Sequence, residues 1–287
     1  MFRRKQMKNV FIVGSGIMGS GIAQICSQSG YRVSIMDIDA NMLDDALKTI
    51  EWSLNKLEGK NLLKEKASDI FSRITAIDSL KDAGDTDIVI EAASENLEAK
   101  HAIFKDLESI CRPDTIFGTN TSSLSVTEIA AAIKTPQRFV GIHFFNPVHR
   151  MKLVEIIKGL ATSDDTVETA NEFVLSIGKE PVIVNRDSAG FIVNRINGMA
   201  FLEALKLLEK GVASVEDIDK AIRLGLGNPM GPFELMDLVG LDIVLNARMG
   251  IYNETREPAH FPPGILRSMV NAGYLGRKTG KGFYDYN

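Results

Sequence analysis

The stretch HFFNPVHRMKLVE, residues 143–155, sets His143 in one apolar run and Glu155 in the next, twelve residues on. If FVGIHFF and LVEII are neighbouring antiparallel strands joined through NPVHRMK, the turn centres on His149 and His143 stands opposite Glu155. Side chains opposed in such a ladder start about 5 Å apart at their β-carbons. A carboxylate on one imidazole nitrogen fixes the tautomer and raises the ring's basicity, and the other nitrogen can then exchange a proton with a substrate. Spacing alone leaves a second reading open, in which His143 is a core histidine satisfied by backbone. His149 reads as an exposed turn residue, and His101 and His260 have no chemistry-bearing neighbours in sequence. No His, Cys, Asp or Glu cluster has metal-ligand spacing, so no metal is expected.

A second constellation lies near the start. The run VFIV leads into Gly14, Ser15, Gly16, Ile17, Met18 and Gly19, and then into an apolar helix pattern. Strand, glycine loop and helix in that order suit a dinucleotide. Gly14 permits the tight turn, Gly16 lets backbone approach a pyrophosphate at the helix N-terminus, and Gly19 allows close helix packing. Asp37 ends the next strand-like run, where a carboxylate can hold an adenine-ribose 2′-hydroxyl and would repel a 2′-phosphate. The expected cofactor is therefore NAD rather than NADP. The bland alternative is a tight turn with no ligand.

Two other polar groups sit in unusual places. In GTNTSSLSV, Asn120, Ser122 and Ser123 follow a strand-like run and would emerge at the C-terminal edge of a sheet, where ligands bind. Ser123 or Ser125 could equally cap a helix over 126–133. Asn194 heads a helical stripe with Phe201, Leu205 and Leu208, and its amide needs a backbone or substrate partner. The residues by themselves favour a structural role there.

The elements that must position these groups alternate. Strand-like runs recur at 10–13, 33–36, 87–92, 115–118, 139–145, 153–157 and 181–184, with helical stretches such as 97–111 and 164–177 between them. Alternation of this kind predicts a mainly parallel sheet covered by helices. Residues 40–73 read as an insertion of two charged helices broken at Gly59. Strand signals stop after Asp187, which, or Ser188, can cap a buried helix over about 190–210. The expected domains are a dinucleotide-binding unit over 1–188 and an all-helical unit over 189–287.

Composition sets the outer limits. Of 287 residues, 45% are apolar and 24% charged, an ordinary globular balance. A net charge of −4 argues against nucleic acid as the main ligand. No apolar run approaches a membrane span, and the basic start MFRRKQMKN lacks the apolar core of a signal peptide, so it reads as a short tail. Cys26 and Cys111 form no framework, and the expected compartment is the cytoplasm. No internal repeat is apparent.

With these motifs assembled, the chain resembles the 3-hydroxyacyl-CoA dehydrogenase family, in particular its bacterial single-module 3-hydroxybutyryl-CoA members. The resemblance runs through VFIVGSGIMGSGIA, EAASENLEAK, NTSSLS, GIHFFNPVHRMKLVE, AGFIVNR, GNPMGPFELMDLVGLD and GRKTGKGFYDY, in the family's order. It implies an N-terminal NAD domain with a helical-hairpin insertion and a helical C-terminal domain that forms a homodimer. It makes His143 the general acid/base and Glu155 its orienting partner, and it brings Ser122 and Asn194 to the substrate carbonyl or hydroxyl. It puts Ile17, Met18, Glu95, Lys100, Ser122, Asn146 and Lys278 on the cofactor side with the glycines and Asp37. It assigns coenzyme A to Ser53 and Lys60 on the hairpin and counts Ser122 with them among the substrate-binding residues. Lys56, Lys64 and Lys66 could join Lys60 in facing CoA phosphates, or form a solvated face. His149 and Arg150 depart from the family pattern, in which a shorter or apolar pair is usual, and DSAGF replaces the more frequent DTPGF.

The implied reaction is reversible NAD-linked oxidation of (S)-3-hydroxyacyl-CoA to 3-ketoacyl-CoA. Two alternatives stand beside it. A dehydrogenase of a free 3-hydroxy acid would carry a lysine on the interdomain helix, where this chain offers none before Lys206. The other is a non-catalytic, crystallin-like NAD-binding protein, against which the intact His143 and Glu155 speak.

Overall fold

The computed structural model describes residues 7–286, so the first six residues of the basic start lie outside the described residues. The chain divides into two compact units after Asp187. The first carries one eight-stranded sheet: β1 (Asn9–Val13), β2 (Arg32–Met36), β3 (Ile74–Ala76), β4 (Ile88–Glu91), β5 (Ile116–Thr119), β6 (Phe139–Phe144), β7 (Leu153–Ile157) and β8 (Glu180–Val184). The spatial order is β3-β2-β1-β4-β5-β6-β7-β8. The first six run parallel; β7 turns back against β6, and β8 runs parallel to β7.

The helices of this unit are α1 (Ile17–Gln28), α2 (Ala40–Glu58), α3 (Ala67–Phe71), α4 (Leu97–Ile110), α5 (Val126–Ala130) and α6 (Asp164–Ser176). Strands covered on both faces must be apolar on both, which is why β1, β4 and β6 read as continuous apolar runs. Ile12, Ile35, Ile90 and Ile142 pack beneath α1, α2 and α6 with Ile22, Leu54 and Phe173. On the other face Phe104 of α4 meets Phe117 and Phe139 edge-on, with centroids 6.2 and 4.6 Å apart.

Two readings change in detail. The edge strand β3 gave no signal in the sequence, because it is three residues long and buries only Ile74. The second helix of the 40–73 insertion is short, since Asn61 takes a positive φ of 54° and the chain stays irregular until Ala67.

The second unit is helical: α7 (Val193–Glu209), α8 (Val215–Leu226), α9 (Pro232–Val239), α10 (Leu241–Thr255) and α11 (Gly264–Asn271). Phe201, Leu202 and Leu205 of α7 pack on Phe233, Met236, Leu241, Val244 and Leu266. Burial is confined to that face; Ile196, expected inside a buried helix, is 68% exposed. The buried carboxylate of Asp219 accepts the Phe233 and Glu234 N–H groups at the start of α9, at 2.8 and 2.9 Å. Asp237 fastens the C-terminal GKGFYDY segment by accepting the N–H groups of Phe283 and Tyr284, at 3.0 and 2.9 Å.

Candidate functional site

The β6–β7 register pairs His143 with Glu155. Imidazole Nδ1 lies 2.8 Å from Glu155 Oε2. The two side chains are only 6% and 1% exposed. With Nδ1 as the donor, the carboxylate holds the ring in one tautomer and one orientation. Phe145 packs on the imidazole at 4.6 Å between centroids. A residue the sequence reading passed over secures the turn between these strands. Lys179, buried at the entry to β8, donates through Nζ to the carbonyls of Val148 (2.5 Å) and Met151 (2.7 Å). Burial pushes its ammonium below the ordinary lysine range. The one signal for it was a lysine directly before an apolar strand.

The glycine loop leads from β1 into α1. Gly14 and Gly19 are each explained by a different neighbour. Gly14 has φ +97°, and a Cβ there would stand 2.6 Å from the Ala92 carbonyl oxygen. A Cβ on Gly19 would stand 1.8 Å from the Gly14 carbonyl oxygen, so helix and loop could not close. Gly16 has an ordinary φ of −58° and nothing within 4 Å of the position a Cβ would take. Nothing in the protein's own packing calls for glycine at 16; the space beside it is open. The unpaired N–H groups of the first helical turn and the positive end of the helix dipole favour an anion there. The open space at Gly16, before the first turn of α1, therefore suits an anion such as a dinucleotide diphosphate.

Asp37, at the end of β2, accepts through Oδ2 from the Ser15 N–H (2.7 Å) and hydroxyl (2.8 Å), and through Oδ1 from the Asp39 N–H (3.1 Å). Burial works against its charged form, but these hydrogen bonds outweigh it and keep the carboxyl below the usual range. Asp37 thus sets the loop's shape.

A chain of charges runs behind the strand ends. Lys100 is buried, its Nζ 2.5 Å from Glu91 Oε1 and 3.4 Å from Glu95 Oε2. Glu91 is fully buried and also accepts from the Thr119 hydroxyl at 2.6 Å. Glu95 Oε1 gathers the next loop: it accepts from the Thr121 hydroxyl (2.7 Å) and from the N–H groups of Ser122 (2.9 Å) and Ser123 (3.0 Å). Burial raises the Glu95 carboxyl, but Lys100 and these donors prevail and hold it low. Asn120 turns inward, and its Oδ1 accepts the Phe144 N–H at the end of β6. Ser125 caps α5, while its hydroxyl donates to Asp187 Oδ2 at 2.6 Å. Asp187 Oδ2 also accepts the Thr127 N–H.

Ser53 and Asn146 share one cleft with Gly16, Ile17 and His149. Lys56, Lys60, Lys64 and Lys66 are all exposed, with Lys56 Nζ 4.5 Å above the Trp52 ring. Asn194 and Lys278 belong to the second unit. The Asn194 carbonyl accepts from the buried Arg248 guanidinium at 2.8 Å, and Lys278 donates to Asp242 Oδ2 at 2.7 Å. Among the described residues no group of three His, Cys, Asp or Glu is arranged to hold a metal, and no helix is long and apolar enough to cross a membrane.

The model of the 3-hydroxyacyl-CoA dehydrogenase NAD binding domain matches residues 9–188, and that of the C-terminal domain matches residues 190–286. A 3-hydroxybutyryl-CoA dehydrogenase of Bradyrhizobium diazoefficiens is 43% identical over 98% of this chain and 96% of its own. The human mitochondrial hydroxyacyl-coenzyme A dehydrogenase is 43% identical over 98% of this chain and 91% of its own. The crystal structure of an (S)-3-hydroxybutyryl-CoA dehydrogenase from Ralstonia eutropha superposes with a TM-score of 0.95 at 42% identity, covering 98% of this chain and all of that one.

Proposed function

Because this chain belongs to the 3-hydroxyacyl-CoA dehydrogenase family, we propose that it catalyses reversible oxidation of a short-chain (S)-3-hydroxyacyl-CoA, such as 3-hydroxybutyryl-CoA, to the 3-ketoacyl-CoA. The observation that carries this reading is the buried His143–Glu155 pair. Alcohol oxidation removes a hydride from carbon and a proton from the hydroxyl. Bound NAD supplies the hydride acceptor. With Nδ1 turned to Glu155, His143 exchanges the proton through Nε2, and the Glu155 carboxylate stabilises the imidazolium that forms. Ser122, presented by the Glu95-held loop, and Asn194 polarise the substrate oxygen; these two roles, the stereochemistry and the CoA portion rest on the family relationship.

Asp37 supports NAD over NADP, since a carboxylate at the end of β2 repels a 2′-phosphate. Glu95, Lys100, Asn146 and Lys278 complete the cofactor side, and Ser53 and Lys60 take coenzyme A. We also assign a homodimer formed through the helical unit. Its support is a largely apolar groove of about 280 Å³ between α7, α8 and α9, with Leu226 at its edge 71% exposed.

The test is NADH consumption with acetoacetyl-CoA, run beside free acetoacetate. Turnover confined to the CoA thioester is the expected result. Absence of CoA-dependent turnover would overturn the reading, and comparable use of the free acid would move it to the free 3-hydroxy acid class.

A further inference from the structure

The segment that leads into α7 is strained. Gly190 and Phe191 are consecutive residues with positive φ, 72° and 47°, and Phe191 is buried. A non-glycine residue in the left-handed region costs energy, so it persists only where its surroundings hold it. α7 starts at Val193, and Asn194 is its second residue. Three residues of α10, spaced three apart and so on one side of that helix, hold this segment. Glu254 Oε1 accepts the Ala189 N–H at 3.2 Å. That N–H exists because alanine stands at 189, where DTPGF would place a proline. Ile251 fills the space beside Gly190, where a Cβ would stand 2.6 Å from its Cδ1. Arg248 reaches past both and donates to the Asn194 carbonyl at 2.8 Å.

Arg248 is the unusual member of the three. It is 4% exposed. Among the described residues the Asn194 carbonyl is its one hydrogen-bond acceptor, and no carboxylate lies within ion-pairing distance. Burial pushes the guanidinium below the ordinary arginine range. A buried charge with no counter-charge weakens a fold, and a cation beside the first turn of a helix opposes the helix dipole. Stability alone would not select it. The fold nevertheless makes room for it. At Gly198, one turn along α7 from Asn194, a Cβ would stand 1.5 Å from Arg248 Nη1 and 2.0 Å from Cζ. A glycine inside a helix lowers stability too. These two unfavourable choices have one product in common, a charge-assisted hydrogen bond on the backbone of Asn194.

We propose that Arg248 is a positioning residue for Asn194. Its guanidinium, lodged over Gly198, pins the Asn194 carbonyl and so fixes the backbone from which the Asn194 amide serves the substrate oxygen. Ile251 and Glu254 hold the strained entry from the same side. A misplacement of about 1 Å in a group that acts on the reacting atoms can cost about 10²-fold in rate, so such an anchor has kinetic value. The inference rests on the reading of Asn194 as a group that polarises the substrate oxygen, and adds the residue that holds it there.

The experiment is a double-mutant cycle of Arg248→Met and Asn194→Ala, read as kcat and KM for acetoacetyl-CoA and NADH. Arg248→Met keeps an apolar stem without the charge or the donor. Its kcat should fall about ten-fold, with both KM values within about two-fold of wild type. Against Asn194→Ala the same substitution should cost less than about two-fold in kcat, because its route to the substrate is already gone. A merely structural arginine would lose activity equally in both backgrounds. Arg248→Lys retains a cationic donor without the planar fork and should lose about three-fold in kcat; it carries the cycle should the methionine variant fail to fold. Full kcat in Arg248→Met, or equal losses with and without Asn194, would overturn the positioning role and leave the reaction intact. Unchanged kcat in Asn194→Ala would overturn the reading of Asn194 and the positioning role with it. A wild type inactive on acetoacetyl-CoA would overturn the reaction itself, and both roles with it.

Discussion

Glu95 Oε1 stands 2.9 Å from the Ser122 backbone nitrogen, across 27 residues of sequence, and the same oxygen holds Thr121 and Ser123. One carboxylate therefore sets the shape of the loop that presents Ser122. Glu95→Gln keeps an acceptor but loses the charge beside Lys100, so kcat should fall about ten-fold while the protein stays folded. The carboxyl is held low in the folded state, so its contribution to stability is complete above its unfolded pKa, about 4.3, and is lost as pH falls through the folded value. Melting curves at pH 7 and pH 3.5 should show a smaller acid loss for Glu95→Gln than for wild type.

His143→Ala should reduce turnover by about 10² to 10⁴, the usual worth of a positioned acid/base, and leave NADH binding intact. Glu155→Gln keeps the hydrogen-bonding shape at 2.8 Å without the charge and should lose about 10² in kcat. Steady-state rates with NADH titration measure both. Retained turnover in His143→Ala would refute its assignment.

Gly16 and Gly19 should separate binding from folding. Nothing in the protein meets a Cβ at 16, so Gly16→Ala should change stability by less than about 1 kcal/mol and weaken NADH binding at least about ten-fold. A Cβ at 19 collides with the Gly14 carbonyl, so Gly19→Ala should cost about 3 kcal/mol or more. Denaturant titration and fluorescence titration with NADH give the two readouts.

Asp37→Ala removes the proposed ribose acceptor and releases Ser15 together. NADH affinity should fall and discrimination against NADPH should relax. A wild type that already prefers NADPH would show the reading of Asp37 to be wrong.

Asp237 touches no proposed ligand, so Asp237→Ala should act on stability. It leaves the Phe283 and Tyr284 N–H groups without their acceptor and should cost about 3 kcal/mol by thermal or chemical unfolding. An unchanged unfolding midpoint would show that the C-terminal segment is held by other contacts.

Most strands and helices were legible because each is a local periodicity. Apolar runs named seven of the strands, and the twelve-residue interval between His143 and Glu155 named a hairpin register that the structure shows. β3 escaped because three residues with one buried side chain make no pattern. The burial of α7 was overstated because an apolar sequence does not say which of its faces has a neighbour.

The sequence by itself determined what short spacings and residue types can encode: the glycine loop with its following helix, the acid after β2 and the histidine opposite its glutamate. Only the tertiary structure decided how Glu95 reaches Ser122, how Lys179 reaches the turn after His143, and how Asp187 reaches Ser125 across 62 residues. Contacts of that kind join loops at the ends of different strands. Their partners are chosen by strand order in the sheet, a property of the closed fold with no counterpart in the spacing along the chain.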